Sequence, residues 1–392
     1  MMFFVRFFNL LYRESNLVAK DLVLVSIIFG TPILYTVLFS LVYVEKRTIE
    51  IPVYLIDEDR TALSRTIKTL FSNDEYFKIL DESKSVDEFL YDMRCDKVYA
   101  CIIIPKDFEK NIKKNKAVNV AVLIDGSNFI IANSLIKGVS EVVGTMNVGV
   151  MIQKLNKKGV PEEHVLSEAM PVSVSTRILN NPTLNYQDFL VPGLISTIMQ
   201  QIALLSLALS IARERKREDF LTFTEITESP FELFFAKGFF YTFVNLSMAI
   251  FSFTIIFMGF GVKFVGDIKL FLFLMVLFSL CLTSLGFMIS SLLKDPLVVM
   301  EVLMLVAVPS FIISGYTWPQ IRMTDFIIGI SNALPLTHFT LAMRQIVFNE
   351  ASYSAVAGHF TYFYIFIPIG LAIAYFSLCH IIKSDKQLFL NN

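Results

Sequence analysis

Six long stretches without Asp, Glu, Lys or Arg constrain this chain more than any other feature of its sequence. They are residues 22–44, 189–212, 238–262, 270–293, 302–321 and 351–382. A hydrocarbon core about 30 Å thick is crossed by roughly 20 apolar residues in a helix. None of the stretches alternates with the two-residue period of a barrel strand. The sequence therefore predicts an α-helical polytopic membrane protein with six transmembrane helices, the fifth beginning at Pro296 and the sixth near Phe360.

Charged side chains are concentrated between the first two predicted spans. Residues 45–188 hold 19 of the 34 Lys and Arg and 21 of the 35 Asp and Glu. Over the whole chain only 18% of residues are charged and 55% are hydrophobic, which argues against a soluble enzyme or a nucleic-acid-binding protein. The pattern predicts one soluble domain inserted near the start of a membrane protein.

The positions of Lys and Arg predict the orientation of the spans. With the N-terminus inside, the cytoplasmic segments carry 11 Lys or Arg and the short outer loops carry four. Both termini are then cytoplasmic, with an interfacial amphipathic helix at 1–21 and a tail at 383–392. Residues 45–188 become an extracytoplasmic domain, and 22–44 an uncleaved anchor. In the helix at 1–21, we expect the phenylalanines to face lipid and Arg6 and Arg13 to face water.

The predicted outer domain has a mixed α/β pattern. Apolar and β-branched runs predict strands at 51–56, 98–104 and 118–124, with a further candidate at 172–178. Helical spacing predicts helices at 61–71, 86–94 and 129–157. This alternation of strands and helices predicts a small sheet covered by helices. Cys95 and Cys101 lie across a helix end and a strand, a spacing that fits a disulfide poorly.

Catalytic and metal-binding motifs are missing from the sequence. It contains no G-x-x-x-x-G-K-S/T loop, no H-E-x-x-H pair and no G-x-S-x-G elbow, so we predict no catalytic residue, no metal site and no cofactor in this chain. Ion-driven transporters usually carry mid-membrane charges. Here the polar candidates for a substrate path are Gln200, Gln201 and Glu301. Interhelical hydrogen bonds for the glutamines and an interfacial position for Glu301 are the alternatives.

The connector between the second and third spans, residues 213–237, combines charge with aromatic residues. Ser229-Pro230 predicts a helix start, with Ser as N-cap and Pro as first helical residue. We interpret the connector as a docking surface for a cytosolic partner rather than a solvated face with aromatics at the lipid. Its candidate contact residues are Glu214, Arg215, Phe220, Phe223, Ile226, Glu228, Ser229, Pro230 and Glu232.

Residues 316–359 are too polar to span a membrane and too apolar for a plain loop. We interpret them as a helix pair that dips into the outer leaflet, a geometry tolerated only where it packs in protein or lines a wet cavity. The candidate residues of this re-entrant segment are the helix-breaking or small residues Ser314, Gly315, Pro319 and Pro335, together with Arg344.

Short motifs follow one another along the chain in the order of a known family. Around the first two spans they are Arg13-Glu14, Lys20-Asp21, Pro32, Asn181-Pro182 and Val191-Pro192-Gly193. In the soluble domain they are Ile51-Pro52-Val53, Asp57-Glu58-Asp59, Ser64, Ile104-Pro105, Asp107-Phe108 and Asp125-Gly126-Ser127-Asn128. In the connector and beyond they are Arg213-Glu214-Arg215, Ser229-Pro230, Lys237, Ser314-Gly315, Trp318-Pro319, Leu334-Pro335-Leu336-Thr337 and Arg344. Together they resemble the ATP-binding-cassette type-2 permeases of bacteria, in the multidrug-efflux-like subgroup with a large outer domain.

This resemblance covers nearly the whole chain and implies a function. It implies a permease subunit in the bacterial inner membrane that moves a hydrophobic or lipid-like substrate outward. ATP and Mg²⁺ would bind a separate cytosolic ATPase, and a second permease, identical or paralogous, would complete the path. The resemblance leaves open whether a periplasmic adaptor takes part. It also implies that the spans contact membrane lipid. The chain departs from the family pattern at Glu218-Asp219-Phe220-Leu221, which points to a dedicated ATPase.

Two other functions remain compatible with the sequence. The large soluble domain would suit a receptor or scaffold whose connector recruits a partner. An ion-coupled secondary transporter is the third possibility, although few charges lie within the spans.

Overall fold

The structure is a computed structural model, and it describes residues 2–45, 47–81, 85–170, 177–216, 220–293 and 295–391. Its first elements are α1 Met2–Lys20, α2 Leu22–Val25, α3 Thr31–Val42, β1 Ile51–Asp57, α4 Ala62–Asn73, β2 Phe77–Asp81, α5 Val86–Arg94, β3 Ala100–Ile104, α6 Phe108–Lys113, β4 Ala121–Ile124, α7 Phe129–Lys157 and α8 Glu162–Ala169. The remaining helices are α9 Tyr186–Lys216, α10 Pro230–Thr254, α11 Ile268–Leu292, α12 Pro296–Ile313, α13 Asp325–Ala333, α14 Pro335–Asn349 and α15 Tyr353–Asn391. The chain divides into a helical unit, Met1–Lys46 with Ile178–Asn392, and an α/β unit, Arg47–Arg177.

Seven helices among the described residues are long and apolar enough to cross a membrane. Six coincide with the predicted stretches and run over Leu22–Val42, Tyr186–Lys216, Pro230–Gly259, Ile268–Ser290, Pro296–Ile313 and Tyr353–Lys383. The seventh is α7, which belongs to the α/β unit and was predicted as a helix of the soluble domain. By length and composition alone, the described residues therefore contain one more candidate span than the six expected.

Two helix ends differ from the predictions for local reasons. The fifth predicted stretch reaches 321, but α12 ends at Ile313 because the chain turns at Gly315, whose φ is +82°. The last helix begins at Tyr353 rather than near Phe360. In the first span, α2 and α3 are joined by a π-helical turn at Ser26–Gly30, just before Pro32. Pro32 has no backbone N–H to donate to the preceding turn, so the regular α-helical hydrogen bonding is interrupted there.

The α/β unit is built on a four-stranded sheet in the order β2-β1-β3-β4. Strand β1 runs parallel to β2 and β3, and β4 is antiparallel to β3. Alternate residues of β1 face opposite sides, as a strand requires. Val53 and Leu55 pack against α4, α6 and α7, whereas Tyr54 packs with Phe89 of α5. The sheet is therefore covered by helices on both faces.

The sequence predictions for this unit are mostly confirmed at the level of elements. The structure contains the three strands and three helices predicted within 51–157, together with β2, α6 and α8, which were not predicted. The candidate strand at 172–178 lies mainly at 171–176, outside the described residues. Cys95 is exposed, Cys101 is buried, and both are free thiols in the structure.

The core of the helical unit forms around α9, α11, α14 and α15. Helix α14 contributes Leu336, Phe339 and Met343 to this core, and the Phe278 and Phe339 rings stack with centroids 4.1 Å apart. Helices α13 and α14 meet at an 87° bend, with Pro335 as first residue of α14. The predicted helix pair is thus present, and its second helix is enclosed by protein, the condition under which irregular backbone is tolerated.

Candidate functional site

Four charged side chains meet in the helical unit and form what we call the ionic cluster: Arg13, Glu14, Glu214 and Lys237. Lys237 Nζ lies 2.5 Å from both Glu14 Oε2 and Glu214 Oε1. Arg13 completes the cluster, with its guanidinium 2.7 Å from Glu14 Oε1 and 2.8 Å from Glu214 Oε2. Two formal positive and two formal negative charges therefore share one site.

Burial makes this cluster unusual. Lys237 and Glu14 are 0% exposed and Glu214 is 4% exposed. Removing such ions from water costs several kcal/mol each, and only close pairing compensates for that cost. Enclosure raises the pKa of the Glu14 carboxyl, and the neighbouring Lys237 and Arg13 cations oppose this effect. The cluster is stable only as a set, because removing one member leaves another buried charge without its partner.

The cluster joins three helices and closes the connector. Arg13 and Glu14 lie on α1, Glu214 lies in the last turn of α9, and Lys237 lies about two turns into α10. Glu214 and Lys237 therefore stand at the two ends of the 213–237 connector and hold them together. Arg13 also contacts the connector itself, through hydrogen bonds from Nε and Nη2 to Thr222 Oγ1 at 3.2 and 2.9 Å.

A second ion pair ties α9 to the start of the first span. Arg213 Nη1 lies 2.5 Å from Asp21 Oδ1, and Asp21 also accepts hydrogen bonds from the backbone N–H of Val23 and Leu24. Burial raises the pKa of Asp21, but the hydrogen bonds from Arg213, Leu24 and Val23 outweigh it and leave the pKa below its ordinary value. Asp21 thus caps α2 and anchors α9 with one ionised side chain.

The structure changes the predicted face of α1. Leu10, Glu14 and Val18 recur at i, i+4 and i+8 and are buried against other helices, while Phe4 and Phe8 stay exposed. The positions of Phe4 and Phe8 agree with the lipid-facing side that we expected, whereas Phe7 packs against the Phe235 and Phe239 rings of α10. Arg13 was expected to face water and instead enters the ionic cluster, because it lies beside Glu14 on the buried side.

The predicted docking residues of the connector separate into exposed and enclosed groups. Glu228 is exposed, and so is Glu225, which the prediction did not include. Phe223 is 1% exposed and packs in the core with Leu233 of α10, and Ile226 lies against the same core. Glu214 and Phe223 were predicted as direct partner contacts, and in the structure their side chains face the protein interior.

The remaining connector residues serve its local structure. Ser229 caps α10 through Glu232 N–H, and Pro230 is the first residue of that helix, which confirms the predicted helix start. Glu232 lies 3.7 Å from Arg6 of α1. Arg215 is partly buried within the last turn of α9. The side chain of Phe220 and residues 217–219 lie outside the described part of the chain.

The three residues proposed for a substrate path are not brought together by hydrogen bonds in the described residues. Gln200 is buried, and both amide atoms of Gln201 are enclosed without a partner among the described residues. Glu301 is exposed on α12. Interhelical bonds in this bundle instead involve Ser206 with Asn245, at 3.1 Å.

The re-entrant residues surround a second polar feature, at Arg344. Its guanidinium carbon lies 3.8 Å from the Tyr316 ring centroid and 5.3 Å from that of Phe189, and Nη2 donates to the Tyr316 carbonyl oxygen. A cavity of about 130 Å³ beside it is lined by Asn181, Asp188 and Asn349, among others. Such cation–π contacts stabilise the guanidinium against the two aromatic rings.

Small residues bring Tyr316 to this position. A Cβ on Gly193 would lie 2.2 Å from Tyr316 Cε1, so the ring packs flat on the α9 backbone. Ser314 accepts a hydrogen bond from Tyr316 N–H at 3.2 Å, and Gly315 supplies the left-handed turn. Pro319 caps a short 3₁₀ turn that follows. Ser314, Gly315 and Pro319, which were predicted for the re-entrant segment, therefore shape the turn that orients Tyr316 towards Arg344.

Glu14, Arg13 and Lys237 were absent from the site residues predicted for function. Their contacts span 223 sequence positions for Glu14–Lys237 and 201 for Arg13–Glu214, which no local pattern reveals. One signal was available in the sequence. Arg13-Glu14 and Lys237 each adjoin apolar helical segments, where an unpaired charge is costly, so a charged partner could have been expected for them.

Comparison with known proteins gives a consistent result over most of the chain. The family model described as ABC-2 family transporter protein matches residues 22–376. The chain is 25% identical over 311 residues to the probable multidrug ABC transporter permease YbhR of Escherichia coli K12, covering 77% of this chain and 79% of that protein. It is 26% identical over 268 residues to the probable multidrug ABC transporter permease YbhS of the same organism, covering 67% and 68%. The inner membrane transport permease YhhJ is 23% identical over 312 residues, covering 78% and 79%.

Proposed function

The chain belongs to the ABC-2 family of transporter proteins and is a multi-pass membrane permease, and we propose that it is the membrane subunit of an exporter driven by separate ATPase subunits. The observation that carries this proposal is the closure of the connector by the ionic cluster. Because Glu214 and Lys237 bridge the two ends of the connector, a push on its exposed part moves α9, α10 and α1 as one piece.

The proposed mechanism assigns different tasks to the two kinds of connector residue. Exposed Glu225 and Glu228 offer an acidic surface to an ATPase beneath the membrane. Enclosed Phe223 and the cluster transmit the movement that follows ATP-driven closure. Two permease chains, identical or paralogous, then rock so that a hydrophobic or lipid-like substrate leaves outward. This chain holds no nucleotide itself, and ATP and Mg²⁺ belong to the partner.

The proposed topology has six spans with both termini cytoplasmic in a bacterial inner membrane. Helix α7 then belongs to an extracytoplasmic α/β unit, which is supported by its packing: Leu135, Val142 and Met146 are buried on the sheet. The unit is available to a periplasmic adaptor. Gln200, Gln201 and Glu301 remain candidates for the path, which a second chain would complete.

Co-purification and transport assays of the full chain from its native membrane test the proposal. The wild type should recover an ATPase with a phosphate-binding loop and support ATP-dependent efflux in vesicles. Glu228→Lys and Pro230→Ala should leave the chain in the membrane but uncouple ATP hydrolysis from efflux. Glu163→Lys, a charge reversal at an exposed site of the α/β unit, is the matched control and should leave coupling intact.

Three outcomes would count against the exporter. Normal coupling of ATP hydrolysis to efflux in both connector variants would contradict the proposed mechanism. Efflux that follows an ion gradient without any ATPase would indicate a secondary transporter. Ligand binding and partner recruitment without any efflux would indicate a receptor or scaffold.

A further inference from the structure

A groove in the α/β unit combines an apolar floor with a strongly basic rim. Its volume is about 500 Å³, within the range of small-molecule sites in proteins. The floor consists of aliphatic and thioether side chains from three helices: Leu63, Ile112, Val150, Met151 and Leu155. The charged residues that line it are Glu109, Lys113, Lys154, Lys157 and Lys158.

The rim carries uncompensated positive charge. Glu109 is already engaged by Lys113, with Nζ 2.5 Å from Oε1. Among the described residues, Lys154, Lys157 and Lys158 have no ion-pair partner. Four cations and one anion thus surround one apolar cavity, and the pattern fits a ligand with an apolar body and a negative head.

Helix energetics account for only part of this arrangement. Lys154 and Lys157 lie in the last turn of α7 and Lys158 is its C-cap, where cations stabilise a helix. Lys113 likewise lies in the last turn of α6, but the effect does not require the ends of two helices to converge on an apolar floor. Position at a helix end therefore explains these three lysines but not the groove.

The walls of the groove are held in place by residues outside it. Asp59 accepts hydrogen bonds from the backbone N–H of Phe108 and Glu109, both at 3.0 Å, and so fixes the start of α6. Phe108, the first residue of α6, is buried in the core of the unit, and Leu135, Val142 and Met146 fix α7 on the sheet. The groove is therefore preformed, which lowers the cost of binding.

We propose that this groove binds an anionic amphiphile, a molecule with an alkyl or aromatic body and a sulfate, phosphate or carboxylate head. The body lies on the floor beside Met151 and Ile112, and the head meets the lysines at the C-terminal end of α7. The inference concerns binding alone, so it holds or fails independently of the exporter function.

Photo-crosslinking of the full chain in lipid nanodiscs tests this site. The probes are dodecyl chains with a diazirine and one of three heads: sulfate, hydroxyl or trimethylammonium. Peptide mapping should place the sulfate probe within residues 109–115 and 150–158, with much weaker labelling by the other two heads. No ATP is added, so failure of the exporter proposal cannot produce failure here.

Matched variants separate the charged rim from the apolar floor. Replacing Lys154, Lys157 and Lys158 by Gln should weaken sulfate-probe labelling about tenfold, since each exposed ion pair contributes modestly. Met151→Gln, at a residue 41% exposed, should lower labelling by all three probes. Lys106→Gln, at an exposed lysine outside the groove, should change nothing.

The proposal is overturned by any of three results. Equal labelling by the three heads would show that the lysines do not select charge. Unchanged labelling in the triple Gln variant would show the same. If the sulfate probe labels elsewhere while an amine-reactive reagent crosslinks these lysines to a co-purified protein, the groove is a protein interface instead.

Discussion

The ionic cluster of the helical unit and the lysine-rimmed groove of the α/β unit contain the same residue types in opposite conditions. In the cluster, Lys237 is fully buried and bridges two carboxylates. In the groove, Lys157 and Lys158 are exposed and Lys154 is partly exposed, and no acid among the described residues pairs with them. Buried charge must be matched within the fold, whereas exposed charge is free to select a ligand. The two sites should therefore respond to mutation in different ways, the first through folding and the second through binding.

The largest effect is expected from Lys237→Met. It leaves Glu14 and Glu214 sharing only Arg13, and breaking a buried network in this way costs about 3–5 kcal/mol. We expect a large fall in the midpoint of thermal unfolding in detergent and in the yield of monodisperse protein. Lys216→Met is the matched control. The Lys216 side chain is 64% exposed and its Nζ lies 3.8 Å from Asp295 Oδ1, a long and exposed ion pair, so its loss should shift the midpoint little.

A compensating variant sharpens the same test. Glu14→Gln combined with Lys237→Met restores a balanced Arg13–Glu214 pair, so the double variant should unfold at a higher temperature than Lys237→Met alone. If the two variants unfold together, charge balance does not explain the stability of the cluster.

Gly193→Ala should have the next largest effect and should act through packing rather than charge. The added Cβ would lie within 3 Å of three Tyr316 ring atoms, and overpacking of this kind costs about 1–3 kcal/mol. Thermal unfolding of the detergent-solubilised protein measures it. Gly329→Ala, in a helix with no atom within 4 Å of the new Cβ, should be neutral or slightly stabilising. Equal effects at both glycines would contradict the assigned contact.

Asp59→Asn should weaken the α/β unit locally, by about 1 kcal/mol at neutral pH, because it removes a charged cap from α6. Faster amide exchange at Phe108 and Glu109 is the measurement. Asp107→Asn is the control, since Asp107 makes no capping bond although it occupies the N-cap position. An equal increase in exchange for both variants would contradict the role of Asp59.

The effect of Asp59 should depend on pH in a defined direction. Burial raises the pKa of Asp59, but hydrogen bonds from Thr61 and from the Glu109 and Phe108 N–H groups outweigh it and lower the pKa. Its stabilisation is therefore present above the unfolded value of about 3.9 and is lost as pH falls through the folded value. The difference between wild type and Asp59→Asn should shrink below about pH 4.

The smallest effect concerns thiol reactivity and leaves stability unchanged. Burial raises the pKa of Cys101 to about 11, whereas Cys95 is exposed. Within the α/β unit, alkylation of the folded chain at pH 8 should therefore modify Cys95 and spare Cys101 until the unit unfolds. Peptide mapping gives the result, and early modification of Cys101 would contradict its position beneath α5.

Local signals in the sequence predicted the elements better than their contacts. The spans are visible because 20 or so consecutive residues without charge have few alternatives. Strands β1, β3 and β4 are visible because they contain runs of apolar residues rich in Ile and Val. Strand β2, Phe77–Asp81, was missed because Lys78 and Asp81 interrupt its apolar pattern.

The candidate site was predictable only in part. Ser229 and Pro230 have a local signature and start α10 as expected. Glu214 was recognised but interpreted as a surface residue, because the cations that enclose it lie on α1 and α10. The motif acids Asp57 and Asp59 have a clear role only in the folded unit, where Asp57 accepts from Ser64 Oγ at 2.6 Å and Asp59 caps α6.

The ionic cluster also sets an order of events during synthesis. Glu14 leaves the ribosome 223 residues before Lys237 does. At about 5–20 residues per second, roughly 10 to 45 s pass before the lysine exists. Throughout that interval Glu14 has its neighbour Arg13 but lacks Lys237, so the buried cluster can close only after the start of the third span has been made. The last step of assembling this end of the protein thus involves its first helix.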